Sequence, residues 1–161
     1  MKKRVISLLA LALSVCIQAA PVAAQDRIQP LEPGGFERIV AAGKGKPLVV
    51  VLWSLSCEYC EQSFDALADV RRSKGLEVVT IATDRADDQE AVQLIRKKLS
   101  RHGLAARSWA FGVAPAERLR YDIDPKWRGE MPRSYWVNGD GRMRAYSGMI
   151  TPEVAARMLD K

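Results

Sequence analysis

The sequence predicts a single α/β domain built on a central mixed sheet flanked by helices. Three observations carry that prediction. The chain has 161 residues, enough for one domain and hardly for two. Apolar, β-branched runs alternate with amphipathic stretches in the order strand, helix, strand, helix, which implies parallel pairing through a right-handed crossover. A hairpin signal near the C-terminus then adds antiparallel strands. Apolar residues make up 48% and charged residues 27%. Those values exclude a disordered chain, a collagen and a multispan membrane protein.

The first residues read as an address. Lys2, Lys3 and Arg4 precede an apolar stretch from Val5 to Ile17, which is too short for a membrane span of about 18 residues or more. Val22-Ala23-Ala24 places small residues where a signal peptidase cuts, so residues 1–24 are expected to be a secretory signal peptide. An uncleaved anchor is the alternative, and Cys16 faintly suggests a lipoprotein site. Either would associate the chain with a membrane. Removing residues 1–24 takes away three bases and no acid. The formal charge falls from +6 to +3, with 22 bases against 19 acids. No nucleic-acid partner is expected at that balance. The expected compartment is the periplasm, or another oxidising space where a cysteine pair can form a disulfide.

In the mature chain, residues 25–45 read as a lead-in segment and residues 46–161 as the domain. Pro30, Pro33, Gly34 and Gly35 give the lead-in an extended start, and Phe36 to Val40 has helical spacing. Leu48-Val49-Val50-Val51-Leu52-Trp53 is a continuous apolar run that fits a strand buried on both faces. A helix is expected over Cys57 to Arg72, a strand over Leu76 to Ala82, and a helix from about Asp87 to His102 with Asp84 as its cap. Trp109 to Val113 reads as a strand and Ala114 to Tyr121 as a short helix. Ser134 to Val137, the turn Asn138-Gly139-Asp140-Gly141, and Arg142 to Tyr146 read as a hairpin. Thr151-Pro152-Glu153 opens the last helix, with threonine as cap and proline at the first position.

The chemistry sits where the first core strand meets its helix, in Trp53-Ser54-Leu55-Ser56-Cys57-Glu58-Tyr59-Cys60. Free N–H groups and the dipole at a helix start stabilise an anion, here a Cys57 thiolate. Cys60 lies one turn on, within reach of the first sulfur. Cys57 can therefore attack a disulfide and Cys60 can resolve the mixed disulfide. Other readings of the pair are a structural disulfide, a zinc site and a copper carrier. A structural disulfide closing so short a loop contributes only about 2 kcal/mol. Zinc needs two more ligands, and the one histidine, His102, reads as a solvated residue at a helix end. The two thiolates also suit a soft metal such as copper.

At these residues the chain resembles the thioredoxin superfamily, and more closely the exported TlpA/ResA-type thiol–disulfide oxidoreductases. The resemblance spans roughly residues 46–159. It rests on Trp53 four residues before the first cysteine, on the C-x-x-C, and on Met131-Pro132-Arg133-Ser134-Tyr135-Trp136-Val137-Asn138-Gly139-Asp140-Gly141. That second stretch is similar to the family's cis-proline segment and following hairpin. Gly148 and the capped last helix also fit. The resemblance implies a thioredoxin-like fold with Cys57 as nucleophile and Cys60 as resolving thiol. It implies Pro132 in cis beside the sulfurs, where the backbone of Met131 would pair with a bound substrate peptide. Trp53, by its place next to the cysteines, is expected to contact substrate. The resemblance implies protein substrates whose disulfides are reduced, in cytochrome c or copper-centre maturation, with electrons from a membrane thiol carrier. No metal and no organic cofactor is called for beyond the redox-active disulfide. A disulfide-forming oxidant or isomerase of the same fold is the enzyme alternative, and a copper-binding assembly factor is the alternative from another class.

Three departures from the family pattern stand out. Tyr59 replaces the common proline before the second cysteine, and Ser56 replaces a tryptophan before the first. The positions where relatives place a buried acid hold Val51 and Ser63. Glu58 and Glu61 are therefore the candidate proton-transfer carboxylates, with water as the alternative. Trp109, Trp127 and Trp136 read as packed residues. Arg118, Arg120, Lys126, Arg128 and Arg133 read as a solvated basic face.

Overall fold

A computed structural model describes residues 27–160. The expected signal peptide, its cleavage site and Cys16 lie outside the described residues. The order of elements is β1 (Gln29–Leu31), α1 (Gly35–Ala42), β2 (Leu48–Trp53), α2 (Glu58–Lys74), β3 (Glu77–Arg85), α3 (Gln89–Arg101), β4 (Ser108–Phe111), α4 (Ala116–Ile123), β5 (Arg133–Val137), β6 (Met143–Ser147) and α5 (Pro152–Leu159). A 3₁₀ turn at Ala105–Arg107 leads into β4. No helix among the described residues is long and apolar enough to cross a membrane.

The six strands form one sheet in the order β1-β4-β3-β2-β5-β6. β1, β4, β3 and β2 run parallel, and β5 and β6 are antiparallel. β2 lies inside the sheet, and all six of its residues are buried. Its side chains alternate between the two faces. Val49, Val51 and Trp53 point to one core with Phe64 and Leu67 of α2, Ile95 and Leu99 of α3, and Val154 and Ala155 of α5. Leu48, Val50 and Leu52 point to the other with Phe36 and Ile39 of α1 and Leu119 and Ile123 of α4. Three layers follow, with the sheet between two sets of helices.

The stretch that reads as a lead-in is part of this architecture. β1 pairs with β4, and α1 packs its apolar face on the second core. The close approach at Gly112 shows how tightly the edge is seated. Its N–H donates to Leu31 O at 2.8 Å, and a Cβ there would lie 2.7 Å from that oxygen.

Two sequence expectations change around β3. The strand continues to Arg85, so Asp84 belongs to it and does not cap α3. Asp88 is the cap, and its carboxylate accepts from the N–H groups of Glu90 and Ala91. The segment after α3 also shifts slightly: β4 starts one residue before the expected Trp109–Val113 span and stops two residues short of its end, and α4 starts and ends two residues late. β2, the hairpin and the threonine cap of α5 match their expectations, with Thr151 Oγ1 accepting from Val154 N.

Candidate active site

β2 ends at Trp53, and the chain turns through Ser54, Leu55 and Ser56 into α2. Three contacts shape that turn. Cys57 N donates to Ser54 O at 3.2 Å, the Ser54 and Ser56 hydroxyls lie 3.0 Å apart, and Leu55 N donates to Asp84 Oδ2 at 2.9 Å. Cys57 is the N-cap of the 17-residue α2, and Cys60 sits in the first helical turn. The two are disulfide-bonded, with Cα atoms 5.4 Å apart. Their exposure differs: Cys57 is half-buried, whereas Cys60 is only 1% exposed. Cys57 is thus the sulfur an incoming group can meet, and on reduction it would sit at a helix start that favours the thiolate.

The peptide bond between Met131 and Pro132 is cis. In the antiparallel pairing of β2 and β5, Arg133 stands opposite Leu52. Continuing that register brings Pro132 level with Trp53, at the end of the sheet where Cys57 lies. Met131 is half-buried and packs against the same core cluster as Cys57. Thr83 Oγ1 donates to Met131 Sδ at 3.7 Å. The end of β3 therefore touches both active-site segments, Thr83 on the proline side and Asp84 on the cysteine side. Nothing in the sequence marks Thr83, and Asp84 reads there as a helix cap. An acid continuing an apolar strand beyond its buried part was the available signal.

Trp53, expected to contact substrate, is fully buried. Its ring packs edge-on against Phe64, with centroids 5.0 Å apart and planes at 89°. A side chain in that position supports the cysteine turn from beneath and cannot meet a partner. Its Nε1 is the one buried side-chain polar atom among the described residues without a hydrogen-bond partner.

Glu58 is exposed at the surface. Glu61 pairs with Lys98 Nζ at 2.9 Å and lies 3.5 Å from His102 Nε2. The hydrogen bond from Lys98 holds its carboxyl below the usual range, against a smaller opposing effect of burial and with help from His102. His102 departs from its solvated reading. Its side chain is 14% exposed, its Nδ1 lies 2.7 Å from Asp65 Oδ1, and its ring packs against Phe64. The carboxylates of α2 draw it in. These contacts join α3 to α2 behind the cysteines.

Val51 and Ser63 are both fully buried, and neither supplies an acid. The Ser63 hydroxyl accepts from Ile150 N at 2.9 Å and donates to Tyr59 O at 3.4 Å. It ties the first turn of α2 to the start of α5. Arg133 also leaves its expected role, because it belongs to an ion network and not to a solvated basic face. It donates to Asp124 Oδ2 at 2.8 Å, to Ser147 Oγ at 2.7 Å and to Tyr135 OH at 3.3 Å, and pairs with Glu130 at 3.4 Å. Burial acts to raise the Asp124 pKa, but the Lys126 amide, Arg133 and Tyr135 outweigh it and hold the carboxyl below its usual value. Burial pushes the Tyr135 hydroxyl well up. The network clamps the segment that follows Pro132. Gly148 N adds a bond to Pro132 O at 2.9 Å from a backbone with φ +116°, which favours glycine. Trp109 is half-buried, and Trp127 and Trp136 are buried with their N–H groups satisfied.

No protein-family model matches the chain, and no curated protein matches it. Solved structures do. A secreted disulfide oxidoreductase of Mycobacterium tuberculosis, homologous to the Escherichia coli protein DsbE, is 18% identical over 73% of this chain and 83% of its own, with a TM-score of 0.55. A thiol:disulfide interchange protein of the thioredoxin family from Chlorobium tepidum is 19% identical over 74% and 81%, with a TM-score of 0.56. The chain has a thioredoxin-like fold. A DsbF homologue from Corynebacterium diphtheriae adds a third match, 18% identical over 75% and 74%, at a TM-score of 0.56. In the thioredoxin-like fold seen here, the C-x-x-C opens the helix after an interior strand, and the cis-proline segment enters the antiparallel hairpin.

Proposed function

We propose that this chain is an extracytoplasmic thiol–disulfide oxidoreductase that reduces disulfides of partner proteins through Cys57 and Cys60. One observation carries the reading. An accessible Cys57 at the start of α2 is bonded to a shielded Cys60, at the sheet end that also holds the cis Met131–Pro132 bond. In the reduced form the Cys57 thiolate attacks one sulfur of a substrate disulfide. A mixed disulfide forms and the first substrate thiolate leaves, taking a proton. Cys60, deprotonated, then attacks Cys57 Sγ and releases the second substrate thiolate. Two electrons pass to the substrate, and the Cys57–Cys60 disulfide is restored. The backbone beside Pro132 pairs with the bound substrate segment, and Met131 lines its path. Water takes the Cys60 proton, since Glu61 is engaged with Lys98 and His102.

The basic, apolar N-terminal stretch supports export to the periplasm, and a secreted structural neighbour points the same way. A membrane thiol carrier is the proposed electron donor, and immature cytochrome c or copper-centre proteins are the proposed substrates. The deciding test is the reduction potential of the Cys57–Cys60 pair, by equilibration with glutathione and thiol trapping. A value near or below about −220 mV agrees with a reductant. A value of about −120 to −180 mV would make the protein an oxidant or isomerase.

A further inference from the structure

We infer that the protein selects substrates in which an acidic, apolar segment flanks the reactive cysteine, through a groove between the cysteine turn and α3. The inference rests on the redox reading above and adds to it the chemistry of the partner. The groove is lined by Leu55, Leu94, Lys97, Lys98 and Arg101. Leu55 lies two residues before Cys57, so the groove begins within about 7 Å of chain length from the nucleophile.

Helical spacing makes the α3 contribution a single stripe. Positions 94, 97, 98 and 101 recur every three or four residues and share one face. Leu94 is 46% exposed on that face, next to the half-buried Leu55. A large apolar side chain left open between cations is suited to receive another apolar side chain. The lining holds three bases and no acid. Lys98 is neutralised by Glu61 at 2.9 Å. Among the described residues, neither Lys97 nor Arg101 has a carboxylate within ion-pair distance, and both are exposed. Two positive charges without an ion-pair partner therefore remain in a groove that Leu55, two residues before Cys57, helps to line.

The groove is also held in place. Asp84 fixes the Leu55 amide, and the contacts of Glu61 with Lys98 and of Asp65 with His102 fix α3 against α2. An extended substrate strand can pair beside Pro132 and continue past Cys57 into this groove. There it would place one apolar side chain between Leu55 and Leu94, and one carboxylate near Lys97 and Arg101. Charge complementarity of this kind acts mainly on the encounter rate and on the choice of partner.

The test compares three peptides that differ only in the residues flanking one cysteine: Glu and Leu, Gln and Leu, or Lys and Leu. Each cysteine is capped as a mixed disulfide with neutral mercaptoethanol. Reduced protein cleaves that bond, releasing mercaptoethanol first and the peptide thiol second. Stopped-flow rates should favour the Glu peptide over the Lys peptide by about three- to tenfold at low salt. The preference should shrink in 0.5 M salt, where charges are screened within about 4 Å. In Lys97→Glu/Arg101→Glu the ratio should invert. If that variant does not fold, the wild-type salt dependence and the single Lys97→Gln and Arg101→Gln variants give the same reading. Equal rates for all three peptides would overturn the inference. Failure of the reduced wild type to react with neutral hydroxyethyl disulfide would instead sink the redox reading itself.

Discussion

At the residue scale, the two cysteines differ in exposure, and the roles proposed for them follow that difference. Cys57 is half-buried at a helix cap and Cys60 is shielded in the first turn. Cys57→Ser should abolish exchange. Cys60→Ser should keep the first attack and trap the mixed disulfide, visible as a partner-linked band on a non-reducing gel. Trapping by Cys57→Ser instead would reverse the assignment. The pairing of Cys57 with Cys60 at the strand–helix junction was legible in the sequence, because the C-x-x-C directly follows an apolar strand. Trp53 was misread for a physical reason. Nearness in sequence to the cysteines does not tell which way a strand-end side chain points, and position 53 faces the core. The carboxylates were only half legible. Glu61 looked free, yet Lys98 and His102 arrive from α3, 37 and 41 positions along the chain. A carboxylate held ionised by a lysine is a poor proton acceptor near neutral pH. Glu61→Gln should therefore leave the pH–rate profile of exchange where it is in the wild type. A displaced limb would make Glu61 the acceptor of the Cys60 proton.

At the scale of elements, the candidate active site is a meeting of strand ends, and contacts remote in sequence hold it. The end of β3 reaches both the cysteine turn and Met131. The start of β5 is clamped by Asp124, at the C-terminal end of α4, and by Ser147, at the end of β6. Each of these elements was visible as a periodic stretch. Their mutual contacts were not, since an isolated sequence shows spacing and not partners. Arg133 is the clearest case, because among those five bases nothing marks the one that enters a network of several partners. Asp124→Asn should cost about 1–3 kcal/mol in urea unfolding, less than the roughly 3–5 kcal/mol lost on breaking a fully buried ion pair, because both side chains are partly exposed. The sign with pH follows from the depressed Asp124 pKa. Its stabilisation is fully present above the unfolded carboxyl value of about 3.9 and fades as pH falls through the lower folded value. The gap between wild type and variant should therefore narrow below about pH 4. A constant gap down to pH 2 would show that the ion pair contributes nothing.

At the scale of the whole molecule, the question is where the folding unit begins. Pro and Gly in residues 25–35 read as an extended lead-in, and that composition hides a short edge strand. Three residues of β1 carry no periodicity that a sequence window can detect. The structure nonetheless pairs Gln29, Pro30 and Leu31 with Trp109, Ala110 and Phe111. Leu31, Phe36 and Ile39 are at most 5% exposed and fill the second core against β4 and α4. Burying each such side chain contributes roughly 1.5–3 kcal/mol, or about 5–9 kcal/mol together. A domain of this size is stable by only about 5–15 kcal/mol. Removing residues 27–45 also bares the edge of β4, with its unpaired backbone groups. A protein starting at residue 46 should therefore melt far below one starting at residue 27, or fail to show a cooperative transition by circular dichroism. Because the first core and the disulfide lie on the other side of the sheet, loss should show first in α4 and the segment around Trp127. Hydrogen exchange resolved by residue would locate it there. Equal melting temperatures for the two proteins would mean that β2 to α5 form a complete folding unit, with β1 and α1 only resting on its surface.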